Sequence, residues 1–395
     1  MADRGRRVAR TLVLGALSAF APMAVDLYLP ALPAIGAALE ADAASIQWTL
    51  ATFFIGFAAG QVLYGPITDR FGRKPPLYVG LAIFIAASIG CALAPTAGTL
   101  IFLRLVQALG ACAAAVTSRA MVRDLFPPRE AAKVFSTLML VMGVAPILAP
   151  LAGGYILLWA GWESIFYVLA AFGAACLVAA AVALPETHAG NPEHSLRLGP
   201  VLREYGRILA VPVFHRNVAA SSISIGGMFA YITASPFVFI QLYGLSEQAY
   251  GWLFGANAFG LIGASQINRF LLRRLPARRI IARTCAVQAV AGVCVAAAAI
   301  TGFGGMWGVA VPLFLYIACL GMILPNTSAT ALEPFGHRAG SASALLGTLQ
   351  FGLAGIVSAV VGARHAESAA PMGVAIAVCG LIAFAILPRR PLAAH

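Results

Sequence analysis

Apolar residues fill this chain in long runs, separated by short polar or basic turns. A run of about 18 or more mostly apolar residues is long enough to cross a bilayer as a helix. Such runs fall at residues 11–31, 46–65, 77–95, 99–120, 133–157, 163–184, 214–240, 248–270, 281–301, 307–330, 341–362 and 371–388. They must be helical, because an unpaired peptide group is too costly in hydrocarbon. The pattern predicts an all-α membrane protein with twelve transmembrane helices. The longest polar interruption, residues 185–212, opens Pro185-Glu186-Thr187-His188 and reads as a cytoplasmic linker. It divides the chain into two six-helix halves, residues 1–184 and 213–395. A faint repeat links them. Gly65–Lys74 after span two and Ser265–Arg274 after span eight both end in a basic pair, although Asp69 and Gly72 become Arg269 and Leu272. Two such halves around a midplane cavity are a common plan for secondary transporters.

Composition leaves no room for a soluble domain: 61% of residues are hydrophobic, 10% are charged, and mean hydropathy is +0.89. The net charge of +12 does not indicate nucleic-acid binding, because of where the charges lie. Arg4, Arg6, Arg7 and Arg10 precede span one. Arg70, Arg73 and Lys74 follow span two, and Arg123, Arg129 and Lys133 follow span four. Arg197, Arg203, Arg207 and Arg216 surround the linker. Arg269, Arg273, Arg274, Arg278, Arg279 and Arg283 follow span eight, Arg338 follows span ten, and Arg389 and Arg390 come last. All share one side if the spans alternate. The other side carries Glu40, Asp42, Glu163, Glu247 and Glu367, with Arg364 as its cation. The positive-inside rule then places both termini in the cytoplasm. Arg6-Arg7, an apolar run and Ala19-Phe20-Ala21 resemble a signal peptide, but Pro22 and the continuing span argue against cleavage. No P-loop, metal spacing or Ser/His/Asp arrangement is visible, so neither an ATP-driven pump nor an enzyme is indicated. The seven cysteines read as small packing residues.

Against this background, ionisable residues within spans carry the information. Asp26 lies in span one, where a carboxylate costs roughly 2.5–3.5 kcal/mol on insertion scales. It is either a protonatable group facing a cavity or a structural carboxylate pairing helices. Arg104 in span four can pair with Asp26 or bias its proton affinity; otherwise it snorkels to the nearer surface. Gln107 shares its helix face. The segment Gly65-Pro66-Ile67-Thr68-Asp69-Arg70-Phe71-Gly72-Arg73-Lys74 reads as a short cytoplasmic loop. Gly65 and Gly72 give it backbone freedom, and Asp69 is available to Arg70, Arg119, Arg123 or helix-start N–H groups. Span five carries Gly143, Pro146, Pro150, Gly153 and Gly154, which suit bending and close helix approach. Phe229, Tyr231, Phe237 and Phe239 surround Pro236 in span seven, as an aromatic wall of a cavity or as lipid-facing or packing aromatics. Asn257 and Gln266, Asn326 and Gln350 line a cavity or cross-link helices.

Four stretches in order carry a family resemblance: Asp26–Pro33, Gly65–Lys74, Arg104–Gly110 and Gly143–Gly154. The chain resembles the major facilitator superfamily, and most closely its twelve-span drug/proton antiporters of the Bcr/CflA group, which includes bicyclomycin- and chloramphenicol-type exporters. The resemblance implies the major facilitator fold and a bacterial inner-membrane location. It also implies export of small amphipathic molecules by alternating access, driven by the proton motive force with no cofactor. Asp26 and Arg104 would carry proton coupling. Tyr28, Gln107, Phe229, Tyr231, Phe237, Asn257, Asn326 and Gln350 would line the substrate cavity. Gating would fall to Gly65, Asp69, Arg70, Gly72, Arg73, Lys74, Arg119 and Arg123, and to Gly143, Pro146, Pro150, Gly153 and Gly154. Some relatives in the wider class carry a second carboxylate two turns before Asp26; here that position is Ser18. The expected partners are a small-molecule substrate, protons and the lipid bilayer, with no nucleic acid, and the protein is expected to be monomeric. The alternative is an exporter of a native metabolite: an amino acid, a dipeptide or a self-made antibiotic. A proton-symport importer ranks below both.

Overall fold

The computed structural model describes residues 2–191, 198–363 and 368–386. The side chains of residues 2–6, 128, 129, 132, 136, 198 and 336–339 fall outside that description. So do part of the expected linker, Arg364, Glu367, Arg389 and Arg390. Among the described residues every regular element is helical. In chain order they are α1 Ala2–Ser18, α2 Phe20–Asp26, α3 Leu32–Ala38, α4 Ala43–Phe71, α5 Lys74–Ala92, α6 Ala97–Leu125, α7 Pro128–Ala160 and α8 Glu163–Ala183. Then come α9 Leu198–Leu209, α10 Pro212–Pro236, α11 Glu247–Leu271, α12 Ala277–Thr301, α13 Gly305–Leu332, α14 Ala339–Gly362 and α15 Ala370–Ile386.

Among the described residues ten helical stretches are long and apolar enough to cross a membrane. The two expected spans not among them are α11 and α15. α11 carries Glu247, Asn257, Gln266, Asn268 and Arg269 along its length, and α15 is apolar but is described only up to Ile386, where the description of the chain ends. The first span also differs from expectation. The apolar stretch that qualifies is Phe20–Ala38, not 11–31, and it is interrupted. α2 ends at Asp26, a 3-10 turn covers Leu29–Ala31, and α3 resumes at Leu32. Pro30 and Pro33 supply no N–H and sit at the starts of the two later pieces, which is where a missing donor is harmless.

The second correction concerns Gly65–Lys74. It is not a loop. Gly65–Phe71 completes α4, and only Gly72 and Arg73 separate α4 from α5. Gly65 is an ordinary helical residue with open space around it. Gly72 alone needs glycine's freedom, with φ of +87°. Other ends follow local chemistry. Asp42 caps α4 by accepting from the Ser45 N–H at 2.9 Å, and Thr96 caps α6 through the Thr99 N–H at 3.2 Å.

The chain forms two compact units. The first runs through the 190s and adds Ser246–Gly255; the second holds Leu198–Leu245 and the chain from Ala256 onward. In the first, α6 packs against α4 and α5, and α5 also packs against α8. Small residues set these approaches: a Cβ on Gly110 would lie 2.6 Å from the Gly80 carbonyl oxygen, and one on Gly56 2.7 Å from that of Leu105. In the second, α12 packs against α13 and α15, and α10 against α13, α14 and α15. Tyr316 is buried there and donates to the Ser224 carbonyl at 3.2 Å.

Candidate functional site

The break in the first span exposes peptide groups to side chains of other helices. Arg104, on α6, is 0% exposed. Its Nη1 donates to the Ala24 carbonyl at 3.0 Å and to Gln107 Oε1 at 2.5 Å. Gln107 passes the chain on, donating to Ser88 at 2.7 Å. The guanidinium lies over two rings, 4.6 Å from the Tyr28 centroid and 4.5 Å from that of Phe53. Tyr28 in turn hydrogen-bonds Thr49 on α4. Arg104 Nε and Nη2 have no hydrogen-bond partner. Asp26 is buried at 5% exposure at the end of α2, two residues beyond the carbonyl that Arg104 holds.

The expected Asp26–Arg104 pair is not formed: among the described residues no ion pair joins them. Nor does Arg104 snorkel to a surface. Its charge is met by a carbonyl, an amide oxygen and ring faces, so Arg104 and Asp26 are both buried without pairing to each other. Ser18, at the position of the absent second carboxylate, bonds the Leu14 carbonyl and Ser118.

Span five meets the same break. A Cβ on Gly153 of α7 would lie 2.0 Å from the Leu27 carbonyl oxygen, so α7 touches the first span backbone to backbone, one residue past Asp26. The next residues of α7 meet the start of α11. Gln248 Nε2 donates to the Gly154 carbonyl at 3.0 Å, and Gly251 sits against Leu151 and Gly255 against Ile147. Pro146 and Pro150 lie inside a helix that runs unbroken to Ala160.

Around Gly72 the structure adds residues that the sequence reading missed. Asp69 accepts from Arg73 Nη1 at 2.7 Å, not from Arg119, and Asp124 accepts from Arg73 Nε at 2.9 Å. Arg119 donates to Ala115 O and Gln61 Oε1, tying α6 to α4. Glu186, just past α8, is the central missed residue. Its Oε1 accepts from Arg73 N at 2.9 Å and its Oε2 from Lys74 N at 2.9 Å. α5 begins Lys74-Pro75-Pro76, so those two amides are the ones at this helix start in need of an acceptor. Thr187 N and His188 N donate to the same carboxylate. Lys74 Nζ donates to the Leu184 carbonyl at 2.7 Å, Thr187 Oγ1 to Asp124 at 3.0 Å, and Asn191 N to the Asp69 carbonyl at 3.0 Å. Gly190, φ +75°, would place a Cβ 2.6 Å from the Arg70 carbonyl oxygen. The opening of the expected linker is therefore a latch on the α4–α5 turn. Burial pushes the Glu186 carboxyl up, but the four N–H donors outweigh it and hold the group below its ordinary range. Burial likewise disfavours the Arg73 cation, while Asp69 and Asp124 reverse that and raise it. The only sequence hint of the latch was a carboxylate directly after span six.

In the second unit, the aromatic residues near Pro236 are all buried: Phe229, Tyr231, Phe237 and Phe239 are at most 6% exposed. They are not lipid-facing. Past Pro236 the helix widens into a π-turn over Phe237–Leu242. Of the expected cavity residues, Tyr231 and Asn257 are brought together, with Asn257 Nδ2 donating to the Tyr231 hydroxyl at 3.0 Å. Asn326 instead donates to Asn268 at 2.7 Å and to Met322 O, cross-linking α13 and α11. Gln350 is half-buried, and Gln266 is exposed.

The all-helical architecture of the described residues agrees with what comparison with known proteins finds. Residues 14–359 match the model of the Major Facilitator Superfamily. The chain belongs to the major facilitator superfamily. It is 33% identical to the bicyclomycin resistance protein homolog of Haemophilus influenzae, over 94% of this chain and 93% of that one. It is 30% identical to the multidrug resistance protein MdtL of Escherichia coli, over 95% and 94%. These relatives support the Bcr/CflA-type drug/proton antiporter group. The crystal structure of a D-xylose-proton symporter superimposes with a TM-score of 0.75 at 16% identity, covering 96% of this chain and 98% of the other, and so shares the fold. The chain is a bacterial membrane transporter and not an enzyme.

Two outcomes test these contacts. Gly153→Ala forces α7 off Leu27 and is expected to destabilise the protein by about 1–3 kcal/mol, read as a fall in the detergent melting temperature. A wild-type value would show that the contact yields freely. Glu186→Ala is expected to loosen the latch by about 1–2 kcal/mol, less than four charge-assisted bonds suggest, because water reaches the carboxylate. Amide exchange at residues 73–74 and 187–188 should then rise about tenfold. Because the Glu186 pKa is depressed, its stabilisation is full above about pH 4.5 and is lost as pH falls through the lower folded value. Wild-type protection should therefore persist from neutral pH down to that point and fade only below it.

Proposed function

We propose that this transporter exports small amphipathic molecules, of the bicyclomycin or chloramphenicol kind, in exchange for protons. The observation that carries the reading is a buried carboxyl and a buried guanidinium at the break in the first span that are not paired to each other. Arg104 is permanently charged and keeps Nε and Nη2 unused. Protonated Asp26 is neutral and needs no cation. Deprotonated Asp26 is a buried anion two residues beyond the carbonyl that Arg104 holds, so its ionisation favours a rearrangement of the break that brings a cation to it. Gain and loss of one proton thus changes what the broken segment contacts, which is the requirement for coupling a proton to a conformational step. The energy comes from the proton motive force, since one charge moved through 100 mV releases about 2.3 kcal/mol.

In this reading Asp26 takes its proton from the periplasm in the outward-facing state, which releases substrate. It gives the proton up inward, where substrate binds from the cytoplasm or the inner leaflet. Tyr28 and Gln107 in the first unit, and Tyr231, Asn257 and the buried Phe229 and Phe237 in the second, supply ring faces and hydrogen-bonding groups suited to amphipathic molecules. Gly153 keeps α7 close enough to the break to register its movement. The latch around Glu186 holds the α4–α5 turn as one rigid piece. The protein acts as a monomer in the inner membrane with both termini in the cytoplasm. The names of the relatives support drugs as the substrate class.

The test is drug susceptibility of an efflux-deficient bacterium expressing the chain, across bicyclomycin, chloramphenicol, florfenicol and ethidium. Asp26→Asn, which keeps the shape and cannot carry the proton, is expected to return resistance to the empty-vector level at normal membrane abundance. Arg104→Lys keeps the charge but loses the planar fork, and should lose most of the resistance. Full resistance in Asp26→Asn would remove Asp26 from coupling. No resistance to any compound, with the protein present in the membrane, would favour export of a native metabolite.

A further inference from the structure

The helix α9 plays no part in the transport reading, and its surface is unusual for a connecting segment. Its sequence, Leu-Gly-Pro-Val-Leu-Arg-Glu-Tyr-Gly-Arg-Ile-Leu, sorts into three faces. Tyr205 and Ile208 are buried, at 8% and 1% exposure, with Val201 and Glu204 half-buried beside them. That face rests against α10 and α14. Next to it, seven residues apart and so on one stripe, Leu202 and Leu209 are 58% and 37% exposed. Beyond them, one turn apart, Arg203 and Arg207 are exposed, and Arg207 stands 3.8 Å from Glu204.

Position explains what covers the leucines. α9 ends three residues before α10 begins at Pro212, and α10 opens an apolar stretch of 31 residues. The corner is held: His215 Nδ1 lies 3.1 Å from the Leu209 carbonyl oxygen, and the N–H groups of Phe214 and His215 donate to the Val211 carbonyl. The helix therefore lies where a membrane span starts. Around it the order is protein, apolar stripe, basic stripe, which is the order of a helix lying in a bilayer interface. Arginine stems reach from such a depth to the headgroup level.

We propose that α9 is an interfacial foot that seats Leu202 and Leu209 among the acyl chains and binds anionic phospholipid headgroups through Arg203 and Arg207. A free anion would satisfy the arginines and leave the leucines in water; a lipid satisfies both. The proposal does not depend on the substrate, the proton or the direction of transport.

The test uses full-length protein carrying Cys294→Ala, which removes the one exposed cysteine. Leu202→Cys or Leu209→Cys then carries a nitroxide. The protein is reconstituted into vesicles of phosphatidylcholine alone or of phosphatidylcholine with phosphatidylglycerol, and depth is read by power saturation with oxygen against a water-soluble nickel chelate. In the phosphatidylglycerol vesicles both labels are expected to favour oxygen. That preference is expected to weaken in phosphatidylcholine alone, at high salt, and in Arg203→Gln/Arg207→Gln. The salt and lipid arms keep both arginines, so they read the interaction even if the double variant folds poorly. Labels open to the nickel chelate in phosphatidylglycerol vesicles would overturn the proposal. An oxygen preference indifferent to lipid charge and salt would overturn the headgroup recognition.

Discussion

A peptide group inside a membrane must find its partner within the protein, and the first span of this transporter breaks that rule's usual solution at Leu27–Ala31. The surroundings of the break answer to this constraint. Arg104 takes the Ala24 carbonyl, Tyr28 is tied to Thr49, and α7 closes against the Leu27 backbone where Gly153 has no side chain. Span four, span two and span five thus converge on one short stretch of span one. Three of the family's four sequence motifs are, in this unit, neighbours of a single discontinuity, while Gly65–Lys74 lies apart from it.

The break also accounts for how a permanent cation can be fully buried. A guanidinium removed from water needs compensation, and a carboxylate is the usual source. Here it is spread over a backbone carbonyl, a glutamine oxygen and two ring faces, with two donors left over. Such a cation is held firmly and is incompletely satisfied.

The α4–α5 turn solves a different problem in the same way. Pro75 and Pro76 start α5 cheaply but leave the amides of Arg73 and Lys74 to be satisfied. Glu186 does so from the far end of α8, and Gly72 and Gly190 let the two strands of backbone approach. Arg73 is gripped from the other side by Asp69 and Asp124. The basic pair that reads in sequence as a topology signal is also a piece of built structure. The same holds at α9, where arginines that satisfy the positive-inside pattern border a stripe of exposed leucines.

The hydropathy runs alone determined an all-helical membrane protein, because burial in lipid is decided residue by residue along each span. The spacing of rare groups was enough to single out Asp26, Arg104 and the glycines of span five, since each is costly or unusual where it stands. Only the tertiary structure decided what these residues touch. It showed Gly65–Phe71 to be helix, because nothing in that segment stops the α4 ladder before Gly72. It found Asp26 unpaired, Asn326 cross-linked to Asn268, and Glu186 capping a helix more than a hundred residues away. A hydrogen bond between a side chain and a distant backbone amide leaves no periodic trace in the sequence; it exists only once the helices have packed.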